Sequence, residues 1–527
     1  MDHSPTLILG AGPTGLSAAY HLGRDATLIE REDRVGGWCR SIRQDGFTFD
    51  MAGHIMFTND PYVLELYDEL LGDNLHWQDR EAWIWSKGTY TRYPFQGSLY
   101  GLPADVIQEC LLGAIEARYG TAAADAAHAH ANGHANANGH ANGHGHANGN
   151  GHAVARACGH AHGDRLHDCC GDGILEADVP LAEARTPAPG ERPAPRNFLE
   201  FIHQVWGAGI AKHFAIPYNQ KLWTVPLENM DISWLNGRVP MPDIGQMIEG
   251  ALVPAPKPMG PNARFGYPLR GGFESLMSAF LPRLESTLWL DTEVARVDPA
   301  SRTVWFTGGG ATRYDTLVST IPLPELVKRI AGAPADVRAA AAGLARVSVR
   351  CVNLGIGRPN LTEKHWIYYP EDPVFHRIFV QGNASPHCNR DGGFGLTCEI
   401  TYSGRKPLAC EGDDLVRRCI DDCRKVGIIG ADDPVWTACQ ADLPYAYVVY
   451  DHQRARHVTM IREWLRQHDI LLAGRYSEWE YFNSDQAFLA GRRVAQEVQA
   501  MHGKGTVARS GTGPVPERRA PASRGPA

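Results

Sequence analysis

Residues Thr6-Leu7-Ile8-Leu9-Gly10-Ala11-Gly12-Pro13-Thr14-Gly15 run from an apolar strand straight into a glycine-rich turn, and Glu30 stands where the next strand should end. Each glycine has its own physical reason. Gly10 permits the tight turn, Gly12 lets a pyrophosphate approach the backbone, and Gly15 lets the following helix pack closely on the strand. Amides at the helix start face the phosphates, and Glu30 can accept a hydrogen bond from an adenosine ribose hydroxyl. Three spaced glycines alone are a weak signal. With strand, helix and acid at the right offset they define a dinucleotide site.

The chain around this motif is that of an ordinary globular enzyme. Its 527 residues allow roughly two to four domains. A net charge of −8 argues against general affinity for nucleic acid or anionic membrane, without excluding a local basic pocket. No apolar run approaches the roughly 20 residues that span a bilayer. The first strand starts at once, so no signal peptide is expected. Twelve cysteines in so long a chain then read as reduced thiols, with the cytoplasm as the default compartment and no metal site expected.

Apolar periodicity places helices over Val63–Leu71 and Asp485–Met501. Strands are expected at Leu288–Leu290, Thr303–Phe306, Thr316–Thr320, Arg377–Val380, Ala446–Tyr450 and Ile470–Arg475. From 121 to 196 the chain becomes Ala, His, Asn and Gly repeats, then a Pro- and Ala-rich stretch. Such composition offers little to bury and is expected to be a disordered, low-complexity insertion. A His-rich tract can bind metal, but no fixed ligand spacing is present. The tail, 503–527, is likewise expected to be disordered.

After Glu30-Arg31 comes a second glycine pair, Gly36-Gly37-Trp38, and then a short strand ending in Gly53-His54. This resembles the FAD site of amine-oxidase-like flavoproteins. Further blocks narrow the resemblance: Gly53-His54-Ile55-Met56-Phe57, Tyr93-Pro94-Phe95-Gln96, Pro217-Tyr218-Asn219, Trp366-Ile367-Tyr368 and Gly474-Arg475-Tyr476. Together they are similar to the eukaryotic-type branch of the UDP-galactopyranose mutases, through nearly the whole chain outside the insertion and tail. The resemblance implies an α/β fold: a Rossmann-like FAD-binding domain assembled from separated segments (1–60, 262–330, 465–502), a helical domain (61–83, 101–120, 197–222) and an antiparallel β-sheet domain (84–100, 223–261, 331–464).

It implies a ring contraction without net redox change on a small-molecule UDP-sugar. In that reaction N5 of FAD, previously reduced by NADPH or NADH, attacks the anomeric carbon while UDP leaves and returns. Arg377 and Arg475 are implied as the diphosphate clamp, which suits the forked, permanently charged guanidinium, with Tyr368, Tyr447 and Tyr481 as phenolic donors. His54 is implied at the flavin's reactive face. The cofactor set extends to Pro13, Thr14, Arg31, Ile55, Val294, Gly474, Asp485 and Gln486. Uracil recognition is implied at Tyr93, Phe95, Gln96 and Asn197, and the remaining substrate contacts at Phe57, Phe201, Tyr218, Asn219 and Trp366.

Three positions depart from the family. Ile216 stands where an Arg is common before Pro-Tyr-Asn, Phe201 where a Trp is common, and Ala384 where a Tyr is common. They leave the sugar open. The alternative reading is an oxidase or desaturase of the amine-oxidase or protoporphyrinogen-oxidase kind, which would want an apolar substrate cavity.

Overall fold

Leu7, Ile8 and Leu9 lie wholly buried beside Leu28, Leu317 and Val318, and the apolar run of the first strand thereby becomes the centre of a parallel sheet covered on both faces. The computed structural model describes residues 2–120, 193–235, 243–254 and 263–506. Residues 1–118 and 196–527 form one unit and 119–195 a second. Residues 121–192 of the expected insertion and almost all of the expected tail lie outside the described residues.

The central sheet has seven strands, in the order Val294–Asp298, Thr303–Phe306, Ala311–Ser319, Asp2–Leu9, Ala26–Ile29, Thr287–Trp289. The seventh, Ile470–Leu472, pairs in parallel with the second half of Ala311–Ser319. Its strands thus come from three separated stretches of chain. Helix Pro13–Leu22 packs against the closing helix Ser484–Thr506, with Ser17 Oγ donating to the Phe488 carbonyl at 2.7 Å. The fold is the expected α/β class, with a Rossmann-like domain, helical segments and antiparallel sheet.

A second seven-stranded sheet runs Val435–Val448, Arg346–Ile356, Phe394–Tyr402, Arg377–Phe379, Trp366–Tyr368, Ala82–Ser86, Thr89–Arg92. All its pairs are antiparallel except Trp366–Tyr368 with Ala82–Ser86. Helix Ala104–Tyr119 faces the helical run from Phe198 to Trp223, which contains two π-helical turns, Ile202–Trp206 and Ala211–Ala215. Gly207 and Gly209 meet Gly113 and Glu109 so closely that a Cβ on either would overlap the facing backbone.

Several elements differ from expectation. Leu75–Asp79, inside a segment read as helical, is a strand paired with Arg264–Pro268, and Ala82 already begins a strand of the second sheet. The helical pattern ends at Gly72, in a left-handed conformation, and the pairing that follows joins residues far apart in sequence. Between 223 and 261, read as sheet, the described residues hold helix Ile244–Leu252 and no strand. Helices Ala335–Ala342 and Arg454–Arg466 interrupt 331–464. The closing helix runs to Thr506, past the expected start of the tail at 503.

Candidate active site

The first turn shows the three glycines at work. Gly10 has φ +95°. A Cβ on Gly15 would overlap the Gly10 carbonyl, whereas a Cβ on Gly12 would meet nothing within 4 Å. The helix therefore sits hard on the strand at Gly15 and leaves open space above Gly12, which is what a bound pyrophosphate requires. The Glu30 carboxylate accepts from the amides of Ala11 at 2.8 Å and Glu32 at 3.2 Å, pinning the acid at the rim of that space. The second glycine pair closes on the first: the Gly36 amide donates to the Ala11 carbonyl, and a Cβ on Gly37 would stand 3.4 Å from Gly12 Cα.

From this turn a cavity of about 720 Å³ runs into the space between the two large sheets. At the dinucleotide end it is lined by Gly10, Gly12, Pro13, Thr14, Glu30, Arg31, Gly37 and Trp38, with Val294 beside them. Farther in come Gly53, His54 and Ile55, then Phe57, Tyr93, Trp366 and Tyr368, and finally Arg377, Tyr447, Arg475 and Tyr481. The described residues thus bring the dinucleotide fingerprint and most of the implied substrate side chains to one cavity.

Gly53 is small for a visible reason: a Cβ there would press on Phe379 and on Glu399 Oε1. The His54 ring stacks on Phe273 and bonds the Ala52 carbonyl through Nδ1 at 2.8 Å. That bond places the proton on Nδ1 and leaves Nε2 as an acceptor. Burial pushes the imidazole down to about 4, and the charges of Arg475 and Arg377 add to the fall, so His54 is neutral at physiological pH.

Arg377 sits opposite Glu399 in adjoining antiparallel strands, a register that puts both side chains on one face. Its Nε and Nη2 lie 3.1 and 2.5 Å from Glu399 Oε2, and Nη2 reaches the Tyr447 hydroxyl at 3.4 Å. Burial disfavours its charge, but the Glu399 carboxylate overrides that and holds the guanidinium protonated. Arg475 donates instead to the carbonyls of Phe482 at 2.8 Å and Ala446 at 2.7 Å, and its buried Nε has no partner among the described residues. Tyr481 lies over its guanidinium at 4.6 Å and stacks on Tyr447. Burial raises the phenols of Tyr93 and Tyr447, so both keep their protons.

Other implied residues lie off this cavity because local structure uses them. Asn197 caps its helix, accepting from the Glu200 amide at 2.9 Å. Asn219 donates to the Ala215 carbonyl, and Tyr218 stacks on Phe214 with its edge toward Tyr368. Phe95 is buried against Phe214, and Phe201 packs on Trp206. Gln96 lines a separate cavity of about 190 Å³ with Gln204, Trp206 and Met247. Gly15, Gly36 and Gly474 shape the backbone behind the lining, with Gly474 at φ +90° against Thr14. Gln486 accepts from the Asn483 amide, and burial pushes the neighbouring Asp485 carboxyl up to about 6. Of the three departures, none lines the large cavity; Ala384 is fully buried, its carbonyl accepting from Gln78.

Among the lining residues that sequence reasoning missed are Arg80 and Glu399. Arg80, 8% exposed, lies between the rings of Tyr93 and Trp366 and donates to the Tyr368 hydroxyl at 2.7 Å. Among the described residues it has no carboxylate partner, and nothing in its sequence neighbourhood marks it. Glu399 could have been suspected, being the only acid in the strand Phe394–Tyr402, whose other residues are apolar or uncharged.

The fold and the cavity define a dinucleotide-dependent protein whose cofactor reaches a polar, aromatic chamber. The flavin containing amine oxidoreductase family matches residues 234–499, and an NAD(P)-binding Rossmann-like domain matches residues 8–70. The chain belongs to the flavin containing amine oxidoreductases, and FAD is the implied cofactor. A 58-residue stretch is 41% identical to 4,4'-diapophytoene desaturase (4,4'-diaponeurosporene-forming) of Staphylococcus aureus, spanning 10% of this chain and 12% of that protein. The structure of reduced UDP-galactopyranose mutase is similar with TM-score 0.76 and 24% identity, over 95% of this chain and 96% of that one. Putrescine oxidase bound to putrescine is similar with TM-score 0.59 and 16% identity, over 95% and 99%. Both structural likenesses are likenesses of fold.

The residues present fit the cofactor: open space above Gly12, an acid at the ribose end, and a neutral His54 with two guanidiniums farther in. No helix among the described residues is long and apolar enough to cross a membrane. No group of three or more His, Cys, Asp or Glu among them is placed to hold a metal ion, and their nine cysteines are free thiols.

Proposed function

We propose that this chain is a flavin-dependent nucleotide-sugar mutase, interconverting the pyranose and furanose forms of UDP-galactose or a related UDP-sugar. The observation that carries this reading is the chamber's lining: Arg80, Arg377 and Arg475 with Tyr93, Tyr368, Tyr447 and Tyr481. Guanidiniums and phenolic hydroxyls suit an anionic, hydroxyl-rich ligand better than an amine or a polyene. The reduced flavin, when bound, supplies the nucleophile for the anomeric carbon.

The protein's own groups do the rest. Arg377 and Arg475 hold the diphosphate while it is detached, so that the opened sugar and its leaving group stay together. Tyr368, Tyr447 and Tyr481 donate hydrogen bonds from their hydroxyls. His54 offers Nε2 as an acceptor and, being neutral, adds no charge beside the cofactor. Tyr93, which lines the chamber, is the group we assign to the base, and NADPH or NADH is the reductant we assign.

The test is anaerobic incubation with UDP-galactofuranose and UDP-galactopyranose, before and after chemical reduction of the flavin. A mutase interconverts them only when reduced and leaves the flavin's oxidation state unchanged. The oxidase or desaturase reading draws support from the family and from the desaturase match. It requires stoichiometric oxygen or acceptor consumption with substrate, and that result would replace the mutase reading.

A further inference from the structure

Glu399 has one carboxylate oxygen for each of two different parts of the site. Oε1 accepts from the Gly53 amide at 3.1 Å, on the segment that carries His54. Oε2 accepts from both Nε and Nη2 of Arg377. The side chain is 1% exposed, in the middle of a sheet strand paired on both sides. His376 stands nearby, its Nε2 3.8 Å from Oε2, but burial keeps that imidazole neutral. Among the described residues Arg377 is thus the one cation bonded to this carboxylate. At the inner end of the cavity Arg475 and Arg80 also line the chamber, with carbonyls and a phenol as their partners.

A buried carboxylate is costly unless paired, and a strand of apolar residues would pack without it. A structural salt bridge would also not require the second oxygen to reach the Gly53 amide. We infer that Glu399 is the positioning residue of this site, tying Arg377 to the Gly53–His54 segment and tempering its charge so that a bound diphosphate is held without being trapped. The inference rests on the reading above that Arg377 faces a diphosphate. A leaving group that must detach and return needs an anchor of moderate strength, and an arginine already half neutralised is one.

The tempering makes a prediction that a merely structural role does not. In Glu399→Gln one amide oxygen still accepts from Gly53 or Arg377, but the counter-charge is gone, so UDP should bind more tightly, by about tenfold. Glu399→Asp keeps the charge but is too short to serve both partners, and its UDP affinity should stay near that of the parent. The measurement is isothermal titration of UDP, with uridine as control, into the oxidised, flavin-loaded protein. The parent is compared with Glu399→Gln, Glu399→Asp and the neutral pair Arg377→Met/Glu399→Gln, which leaves no buried charge unpaired.

The neutral pair should lose at least about tenfold in UDP affinity, the worth of one charge-assisted contact. If it binds UDP as the parent does, the diphosphate does not sit at Arg377 and the functional reading fails. If the neutral pair loses UDP but Glu399→Gln binds it no tighter than the parent, the reading stands and the role of Glu399 is refuted. A Glu399→Gln protein that cannot retain flavin refutes it too, since the amide can still hold Gly53.

Discussion

Gly12 and Gly15 lie three residues apart, yet replacing each by alanine should damage the protein in different ways. Gly12 has φ −74°, which alanine adopts freely, and its added Cβ would touch nothing within 4 Å. Folding of the cofactor-free Gly12→Ala protein should therefore lose only about 0.5–1 kcal/mol, the gap between glycine and alanine at a helix N-cap. The methyl would instead occupy the pyrophosphate's path. A cofactor present at about 1,000 times its Kd stabilises the fold by about 4 kcal/mol, and a hundredfold loss of affinity removes about 2.7 kcal/mol of that. Gly15→Ala places its methyl inside the Gly10 carbonyl, which is backbone and cannot swing aside. The helix must lift from the strand, at about 1–3 kcal/mol or more, with or without cofactor. Thermal unfolding with and without added FAD, together with flavin fluorescence titration, separates the two. If Gly12→Ala binds FAD as tightly as the parent, the phosphate site is misassigned. If its cofactor-free form is as unstable as that of Gly15→Ala, the open space above Gly12 is not there.

Arg377→Lys should keep the flavin spectrum but cut UDP-sugar turnover by one to two orders of magnitude, because an ammonium cannot contact Glu399 and a phosphate in the guanidinium's geometry; full activity would remove Arg377 from the clamp. Arg377→Ala should also lower stability by about 3–5 kcal/mol, since it strands the Glu399 carboxylate, and denaturant unfolding reads that loss. Burial depresses His54 and His365 to about 4 and His376 below the ordinary value of 6.5. Between these values and 6.5 the unfolded chain binds protons that the folded chain does not, so their stabilising effect is complete above pH 6.5. It should be lost progressively as pH falls toward 4, at roughly 1.4 kcal/mol per unit for each fully buried imidazole, and a flat melting temperature over that range would contradict the burial. Replacing residues 122–192 by a short flexible linker should preserve flavin binding and activity, because loop closure depends only weakly on length; a folded but inactive product would give the segment a function.

Much of the cofactor end was legible in the sequence, because the fingerprint encodes a local geometry. A strand, a turn and a helix within ten residues demand glycine at Gly10 and Gly15, and the path of a pyrophosphate demands it at Gly12, each for a reason that can be stated without coordinates. The runs 303–306 and 470–472 became strands of the central sheet because short β-branched, aromatic and aliphatic runs favour a pleated, partly buried surface. The substrate end was legible only in part, since its residue types were visible but not their partners. Phe95, Asn197 and Asn219 have side chains that could read a base, but in the fold a core contact, a helix cap and a backbone bond use them. Leu75–Asp79 looked helical because its pairing partner lies at Arg264–Pro268, and no local pattern carries that information. Arg80, placed between two rings, and Glu399, dividing its oxygens between Gly53 and Arg377, exist as functional candidates only because separate strands meet. Which charges face each other across a cavity is a property of non-local register, and the tertiary structure alone decided it.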